Sequence, residues 1–186
     1  MKYSISIILP ILNEINSLKK TLQILNKIKV DKEFIVIYSN KLTQDLVKDE
    51  IHSLKKKYKN LKCLKQIRPF VGGAIDLGIR NAKKNYIALM ASDMETNPHE
   101  LSNMINVSSK NNNSIISADR WISNKGFSDY GLIKFLANFT FQKLLKIFFN
   151  YKILDFTFAY RIYPKNALKN HRIKELRHGF ALETLL

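Results

Sequence analysis

Residues 86–98 read YIALMASDMETNP, and their pattern indicates the fold class of the chain. Its first five residues are apolar, which is typical of a short strand that is buried on both faces. Asp93 and Glu95 follow the strand, and Pro98 then starts a helix. A buried strand, a polar loop and a helix in this order form the repeating unit of an α/β domain.

The same unit repeats on both sides of this stretch. Apolar runs predict further strands at 5–9, 34–38, 61–67 and 114–118, and helical segments separate most of them. Strands that alternate with helices over short loops predict an α/β fold, with a mostly parallel sheet flanked by helices.

Local signals set the expected limits of these elements. Pro10 ends the first strand, and Asn13 or Asn16 caps the helix that follows. The second helix covers 43–59, and the third begins in the loop at 68–73. One stripe of the second helix is expected to face the core: Leu46, Val47, Ile51 and Leu54.

Polar residues follow three of the predicted strands. Asn13 and Glu14 come after the first strand, Asp93 and Glu95 after the fourth, and Arg120 after the fifth. The carboxyl ends of parallel strands meet at one edge of a sheet, where α/β domains bind their ligands. The candidate site is therefore expected at this edge.

Asp93 and Glu95 alternate along the chain, so both side chains can point to one side of an extended turn. Two carboxylates placed in this way can hold a hard divalent cation whose other ligands are phosphate oxygens and water. Alternatively, they are polar loop residues that cap the helix at Pro98. The spacing alone leaves both interpretations open.

Gly72 and Gly73 open the third helix directly after a loop. Backbone amides at such a turn can approach a phosphate group. The spacing matches neither the dinucleotide-binding fingerprint nor a Walker loop. A tight turn that needs a positive φ explains the same pair of glycines.

The 186-residue chain carries 31 Lys and Arg against 15 Asp and Glu, a formal net charge of +16. This surplus favours polyanionic partners such as anionic lipid or phosphorylated substrates. A compositional bias toward lysine, asparagine and isoleucine explains the same surplus. No RNA- or DNA-binding motif accompanies the charge, so no nucleic acid partner is expected. The single cysteine, Cys63, excludes an internal disulfide.

Residues 121–163 differ in composition from the rest, since they hold thirteen of the 20 aromatic residues with lysines interleaved. Within them, 131–151 predicts a helix that either lies in a bilayer interface or packs into the core with its lysines outward. No apolar run approaches the roughly 20 residues of a transmembrane helix. Four basic residues are candidates for a second anion site: Arg120, Lys134, Arg161 and Arg172.

Five segments, in this order along the chain, resemble glycosyltransferase family 2. They are IILPILNE at 7–14, GGAIDLGI at 72–79, YIALMASDMETNP at 86–98, DFTFAYRIY at 155–163 and GFALE at 179–183. The likeness is on the side of dolichyl-phosphate mannose synthase and related polyprenyl-phosphate glycosyltransferases.

The resemblance implies the organisation of the chain. Residues 1–186 form a single GT-A domain, in which 121–163 faces the acceptor and the membrane. The domain stops before the strand and basic loop that usually finish the family's domain. The implied location is cytoplasmic, peripheral on the cytoplasmic face of the membrane.

The resemblance also implies roles for individual residues. Asp93 and Glu95 bind Mg²⁺ or Mn²⁺ at the diphosphate of a nucleotide sugar, and Asp93, Asp155 and Arg161 are the implied catalytic residues. The pocket for the nucleotide sugar is lined by Pro10, Asn13, Glu14, Tyr38, Gly72, Gly73 and Asp93.

The implied acceptor is a polyprenyl phosphate at an anionic membrane surface, and Arg120, Lys134 and Arg161 hold its phosphate. Because a phosphate is already ionised at pH 7, it attacks the anomeric carbon, with inversion, without a general base. A saccharide hydroxyl as acceptor would need a base, for which Asp155 and Glu183 are the candidates.

Two departures from the family's pattern favour a third hypothesis, a non-catalytic relative that still binds nucleotide. Ala91 stands where the family has the first aspartate of its D-x-D motif. Residues 38–45, YSNKLTQD, replace the acidic motif that normally follows the second strand and helps to hold the base.

Overall fold

The computed structural model describes residues 2–120, 132–149, 153 and 155–185, without the side chains of 132–135 and 138. The described strands form one six-stranded sheet. They are β1 Ser4–Ile11, β2 Asp31–Tyr38, β3 Leu61–Lys65, β4 Tyr86–Leu89, β5 Ile116–Ser117 and β6 Arg161–Pro164.

The spatial order of the strands is β3-β2-β1-β4-β6-β5. β1 pairs in parallel with β2 and β4, and β2 pairs in parallel with β3. β6 runs antiparallel to both of its neighbours, β4 and β5. The predicted α/β fold with a mostly parallel sheet is confirmed, while the antiparallel β6 is a feature that the strand pattern did not predict.

Helices cover both faces of this sheet. They are α1 Ile15–Asn26, α2 Asp45–Lys57, α3 Phe70–Asn81, α4 Glu100–Lys110, α5 Leu132–Phe148, α6 Lys165–Leu168 and α7 Phe180–Glu183. None of the helices within the described ranges is both long and apolar enough to cross a bilayer.

Two core layers form because alternate side chains of each strand point to opposite faces of the sheet. Ile7 of β1 belongs to the layer that packs under α1, α2 and α4. Its neighbour Ile8 belongs to the layer that packs under α3. Ile8 also lies so close to Gly78 of α3 that a Cβ on this glycine would meet its side chain at 2.6 Å.

The structure corrects three expectations about these elements. β1 continues through Pro10 to Ile11, since a proline near a strand end loses only one backbone donor. Leu46 of α2 is 78% exposed, because the buried stripe follows Val47 at intervals of three and four residues and Leu46 lies one position out of phase. Asn13 does not cap α1, and Asn16 lies inside it; the helix begins after Glu14 without a side-chain cap.

A buried carboxylate closes the amino edge of the sheet. Glu33 is 6% exposed, and it accepts hydrogen bonds from the Ser6 hydroxyl at 2.7 Å and the Lys83 amide at 2.6 Å. Lys62 forms an ion pair with it at 2.7 Å. Burial raises the pKa of Glu33, but Lys62, Ser6 and the Lys83 amide together outweigh burial, so the pKa lies below its ordinary value.

Candidate functional site

The loops after β1, β2 and β4 meet at the carboxyl edge of the sheet, as expected, and side chains tie them together. The Ser92 hydroxyl donates to the Pro10 carbonyl at 2.6 Å, which joins the loop after β4 to the end of β1. The Asn13 side-chain oxygen accepts from the Gln44 amide at 3.0 Å, which joins the loop after β1 to the start of α2. The candidate site therefore has a fixed frame.

The side chain of Glu14 stabilises the turn after β1 in which it lies. One oxygen of its carboxylate accepts the backbone amides of Leu12 and Asn13, both at 3.0 Å. The side chain remains exposed at the carboxyl edge. The structure thus brings Pro10, Asn13 and Glu14 to one place, and each has a role in shaping the loop itself.

The loop that carries Asp93 and Glu95 has a constrained conformation. Asp93 Oδ1 accepts the Glu95 amide at 3.0 Å, and Met94 between them has a φ of 73°. Left-handed backbone is rare for a residue other than glycine, asparagine or aspartate. The Thr21 hydroxyl of α1 contacts Met94 Sδ at 3.3 Å and helps to hold it there. Such strained residues cluster at functional sites.

Two buried hydroxyls hold this loop in place through hydrogen bonds. Ser92 is buried against Pro10, and the buried Thr96 donates to the Ala91 carbonyl at 3.1 Å. Neither residue was singled out from the sequence, because a serine or threonine in a polar loop gives no signal of which way its hydroxyl points. Asp93 is therefore an exposed carboxylate in a loop that the hydroxyls of Ser92 and Thr96 hold in place.

The donor set decides which kind of metal site fits here. Within the described residues, no group of three or more His, Cys, Asp or Glu side chains is placed to hold a metal ion. Asp93 and Glu95 are two exposed carboxylates on one loop. Mg²⁺ is commonly bound by one or two carboxylates together with substrate phosphates. The residues fit a cation shared with a diphosphate, and they do not fit a cage made by protein alone.

Tyr38 is the last residue of β2 and lies at the same carboxyl edge of the sheet. Its side chain is buried, and its hydroxyl lies 3.4 Å from His52 Nε2 of α2. The two rings meet edge to face, with 5.9 Å between their centroids. Tyr38 thus forms part of the wall of the candidate site.

Gly72 and Gly73 lie in the first turn of α3, and neither has a positive φ, so the tight-turn explanation is wrong. Phe70 has the positive φ instead, 59°, and the guanidinium of Arg177 lies 4.4 Å from its ring centroid. The Gly72 amide donates to the Leu176 carbonyl at 2.7 Å. A Cβ on Gly72 would lie 2.8 Å from Leu176 Cα and closer still to the Glu175 carbonyl. Close packing explains Gly72, and its amide is already engaged.

Asp76 holds the carboxyl-terminal segment against the same helix. It is 4% exposed and forms ion pairs with Arg68 at 3.1 Å and Arg80 at 3.2 Å. Its other oxygen accepts the Ile173 amide at 3.1 Å. An aspartate in the middle of an apolar helix is the sequence signal that indicates a buried, paired carboxylate at this position.

Asp155 is the centre of a buried polar cluster. It is 1% exposed, and Arg120 binds it with two hydrogen bonds, at 2.7 and 3.1 Å. It also accepts from the side-chain amide of Gln142, from the hydroxyl of Thr157 and from the backbone amides of Thr157 and Phe158, all between 3.0 and 3.1 Å. A carboxylate with this many donors is a structural anchor, so the structure does not support Asp155 as a catalytic base.

Arg161 is a correction to the expected acceptor site. It is 0% exposed, and its guanidinium donates to the carbonyls of Asp155, Phe156 and Ala181 and to the Ser117 hydroxyl. A guanidinium that is fully buried and bound to backbone oxygens does not reach a ligand phosphate. Arg161 therefore joins β6 to β5, to the 155–156 turn and to α7 as a structural residue.

Arg120, Arg172 and Lys134 are the other expected phosphate-binding residues. Arg120 is committed to Asp155 and to the ring of Phe158, whose centroid lies 4.8 Å from it. Arg172 is exposed. The side chain of Lys134 lies outside the described residues.

Glu183 is committed to the backbone. It accepts the Lys174 amide at 2.8 Å and the Glu175 amide at 2.7 Å, and His171 Nε2 lies 3.0 Å away. Burial raises the pKa of Glu183, but these three groups outweigh burial and lower the pKa below its ordinary value. A carboxylate with a lowered pKa is a weaker base, so Glu183 is a poor candidate for deprotonating a hydroxyl.

α5 presents apolar side chains outward. Gln142 and Leu145 are buried, and Leu145 packs against Phe156 and Leu185. Lys143 and Lys146 are exposed on the same helix. Among the side chains of α5 that the structure describes, the exposed large apolar ones are Leu136, Phe139, Phe141, Leu144, Ile147 and Phe148.

Solved structures share this fold, and some of them were solved with a bound nucleotide. Glucosyl-3-phosphoglycerate synthase from Mycobacterium tuberculosis, solved with uridine diphosphate, has a TM-score of 0.71 and 16% identity; the match covers 98% of this chain and 64% of that one. TarS 1-349 from S. aureus has a TM-score of 0.63 and 15% identity over 99% of this chain and 55% of that one. The chain therefore spans less than two thirds of the length of these proteins.

A third structure, mannosyltransferase PcManGT from Pyrobaculum calidifontis in complex with GDP-Man and Mn²⁺, has a TM-score of 0.55 and 14% identity. That match covers 64% of this chain and 36% of the other. At these identities the structures establish the fold. The family model described as glycosyl transferase family 2 matches residues 6–172, which is most of the sequence. The chain belongs to glycosyl transferase family 2.

Proposed function

We propose that this chain transfers a sugar from a nucleotide-diphosphate sugar to a polyprenyl phosphate, as a peripheral protein on the cytoplasmic face of the membrane. The observation that carries the proposal is the position of Asp93 in a family 2 chain. Its carboxylate is exposed at the carboxyl edge of the sheet, on a loop that Ser92 fixes to the end of β1. This is the edge at which α/β domains bind nucleotides.

Asp93 and Glu95 would hold Mg²⁺ or Mn²⁺ together with the diphosphate. Asp93 Oδ1 is used by the Glu95 amide, and among the described residues Oδ2 accepts no hydrogen bond. When bound, the metal supplies positive charge that offsets the charge on the leaving diphosphate. Related structures were solved with Mn²⁺ and uridine-diphosphate-glucose, or with Mn²⁺ and GDP-Man, which supports this assignment.

Exposed apolar side chains around the site support an acceptor with an apolar part. Six large apolar residues follow the carboxyl ends of four neighbouring strands: Leu12, Leu42, Leu46, Ile67, Phe70 and Met94. α5 adds its own exposed apolar residues with Lys143 and Lys146 beside them. Lysines beside exposed apolar residues suit an anionic membrane surface.

The hydrogen bonds that engage the two candidate bases favour a phosphate acceptor over a saccharide hydroxyl. Asp155 is buried and bound by Arg120, and Glu183 is bound by backbone amides. Neither carboxylate is available to take a proton from a hydroxyl. A phosphate oxygen needs no such base, because it is already negative at pH 7.

In the proposed reaction, a phosphate oxygen of the acceptor attacks the anomeric carbon of the sugar. The bond from that carbon to the diphosphate breaks, and the nucleoside diphosphate leaves with the electron pair. Attack on the face opposite the leaving group inverts the configuration. No proton has to move for the step to balance.

The test compares three kinds of acceptor. The protein is incubated with Mn²⁺, a panel of labelled nucleotide sugars, and either polyprenyl phosphate, the corresponding polyprenol or a saccharide. We expect labelled glycolipid with polyprenyl phosphate only, and none from Asp93→Asn. Product with the saccharide alone would overturn the acceptor assignment.

A non-catalytic relative remains the second candidate, because Ala91 removes one of the family's acidic residues. It predicts a different result in calorimetry. Nucleoside diphosphate would bind with the same affinity with and without Mn²⁺, and no acceptor would give product. A metal-dependent affinity together with turnover rules this candidate out.

A further inference from the structure

A second concave surface lies far from the candidate site, between the carboxyl-terminal ends of α1 and α2. This groove has a volume of about 460 Å³. Lys27, Lys57 and Lys59 line it, together with Gln23, Asn26, Tyr58 and Asn60. Of the described residues that line it, none is acidic. We refer to this surface as the α1–α2 groove.

The floor of the α1–α2 groove is rigid. Tyr58 is 6% exposed and meets Phe34 of β2 edge to face, with 6.2 Å between the ring centroids. The ammonium group of Lys57 lies over the Tyr58 ring, 5.7 Å from its centroid. A cation that rests on an aromatic face has a preferred position, so at least one charge of the groove is held in place.

The positive charge of these three lysines is larger than the partial negative charge at the ends of the two helices. A helix carries about half a negative charge at its carboxyl end, so the ends of α1 and α2 together supply roughly one negative charge. Three ammonium groups outweigh this and leave a net charge of about +2 in the groove. In the described part of the chain, Lys27, Lys57 and Lys59 form no ion pair, whereas the nearby Lys19 is paired with Glu50.

The α1–α2 groove is independent of the nucleotide site. α1 runs from the carboxyl edge of the sheet, at Ile15, to the groove, at Asn26. Its 12 residues span about 18 Å. A ligand in the groove therefore does not touch Asp93 or its loop.

We propose that the α1–α2 groove is a second anion site, which binds a ligand with two or more clustered phosphate groups. Several separated ammonium groups match several phosphates better than one. The amides of Gln23 and Asn26 add donors that a phosphate oxygen accepts. A soluble polyphosphate and a phospholipid headgroup both present this chemistry.

The test uses sodium tripolyphosphate in calorimetry and vesicles of phosphatidic acid in phosphatidylcholine in a sedimentation assay. The groove variant is Lys27→Gln/Lys57→Gln/Lys59→Gln. The control variant, Lys2→Gln/Lys110→Gln/Lys169→Gln, removes the same charge from exposed lysines elsewhere. Circular dichroism establishes that both variants are folded.

We expect the groove variant to bind tripolyphosphate about tenfold more weakly than wild type, since three exposed charge contacts are lost. The control variant should retain most of the affinity. Amide NMR signals of Gln23 and Asn26 should shift on titration. Loss of vesicle binding in the groove variant alone would identify a lipid headgroup as the source, and unaffected vesicle binding would identify a soluble one.

Two results would overturn the proposal. Equal weakening in both variants would mean that only net charge matters. Shifts confined to Asn13, Gly72 and Gly73, with none at Gln23 and Asn26, would place the phosphate at the carboxyl edge instead.

Discussion

The hydroxyl of Ser92 and the carbonyl of Pro10 are joined by a hydrogen bond of 2.6 Å. This bond fixes the start of the Asp93 loop to the neighbouring strand, where the pairing of β1 with β4 has ended. The orientation of Asp93 therefore depends on a residue that itself does not face the ligand.

Replacing this hydroxyl should loosen the candidate site. We expect Ser92→Ala to lower the free energy of unfolding by about 1 kcal/mol, because the half-buried Pro10 carbonyl loses its donor. The affinity for nucleoside diphosphate in Mn²⁺ should fall severalfold. Urea unfolding and calorimetry measure the two effects. Ser102→Ala, at an exposed position of α4, is the control, and an equal result for both variants would contradict the role of Ser92.

Metal and nucleotide should bind together. Because the described residues form no protein-only metal cage, we expect weak Mn²⁺ binding without nucleotide and much tighter binding with nucleoside diphosphate. Asp93→Asn keeps the oxygen that accepts the Glu95 amide, so the loop should persist. The variant should weaken Mn²⁺-dependent nucleotide binding at least about tenfold. Tight Mn²⁺ binding by wild type alone, followed by electron paramagnetic resonance, would refute this coupling.

Asp155 should be a stability residue. Asp155→Asn leaves the Arg120 guanidinium without its carboxylate, so we expect a loss of about 3 kcal/mol in the free energy of unfolding. Asp49→Asn, at an exposed position of α2, should have little effect. Urea unfolding of both variants provides the measurement. An Asp155→Asn protein with normal stability and no transferase activity would instead indicate a catalytic role.

Stability should fall in acid, in part through Glu33. Its folded-state pKa is lowered, so its contribution is complete above the unfolded-state pKa and is lost as the pH falls through the folded-state pKa. We expect Glu33→Gln to cost about 2 kcal/mol at pH 7. The difference from wild type should shrink from about pH 5 downward.

Urea unfolding at several pH values between 7 and 3 measures this difference. Glu100→Gln, in the exposed first turn of α4, serves as the control. A difference between Glu33→Gln and wild type that stays constant over this range would contradict the assignment.

Gly72 should tolerate no side chain. In a helix, Gly→Ala normally stabilises by up to about 1 kcal/mol, but here the added Cβ meets the backbone of Glu175 and Leu176. We expect Gly72→Ala to lower the free energy of unfolding by about 2 kcal/mol. Gly179→Ala is the matched control, since its Cβ would meet only the Glu175 side chain, at 3.2 Å or more. Thermal or urea unfolding compares them.

The parallel strands and the carboxyl-edge loops could be predicted from the sequence because their signals are local. The apolar run at 86–90 and the carboxylates after it determine both a strand and the position of Asp93. The buried face of α2 was harder to predict, since Leu46 is apolar but lies one position away from the buried stripe that begins at Val47.

The roles of Asp155 and Arg161 could not be predicted in the same way. Both match the family's pattern, and both are charged residues of the kind that binds substrates. Their partners lie elsewhere in the chain: Asp155 is held by Arg120, and Arg161 by Ser117 and Ala181. Only the tertiary structure determines whether a charged side chain faces a ligand or the backbone.

The anchoring of the carboxyl-terminal segment by Asp76 also has a consequence during synthesis. Asp76 and Ile173, which are joined by a hydrogen bond, are 97 positions apart, and Arg68 reaches the Ile173 carbonyl across 105 positions. At usual rates of translation, about 5–20 s pass between the two ends of the shorter contact. During that time the nascent chain can pair β1 to β4, but Asp76 lacks its final partner.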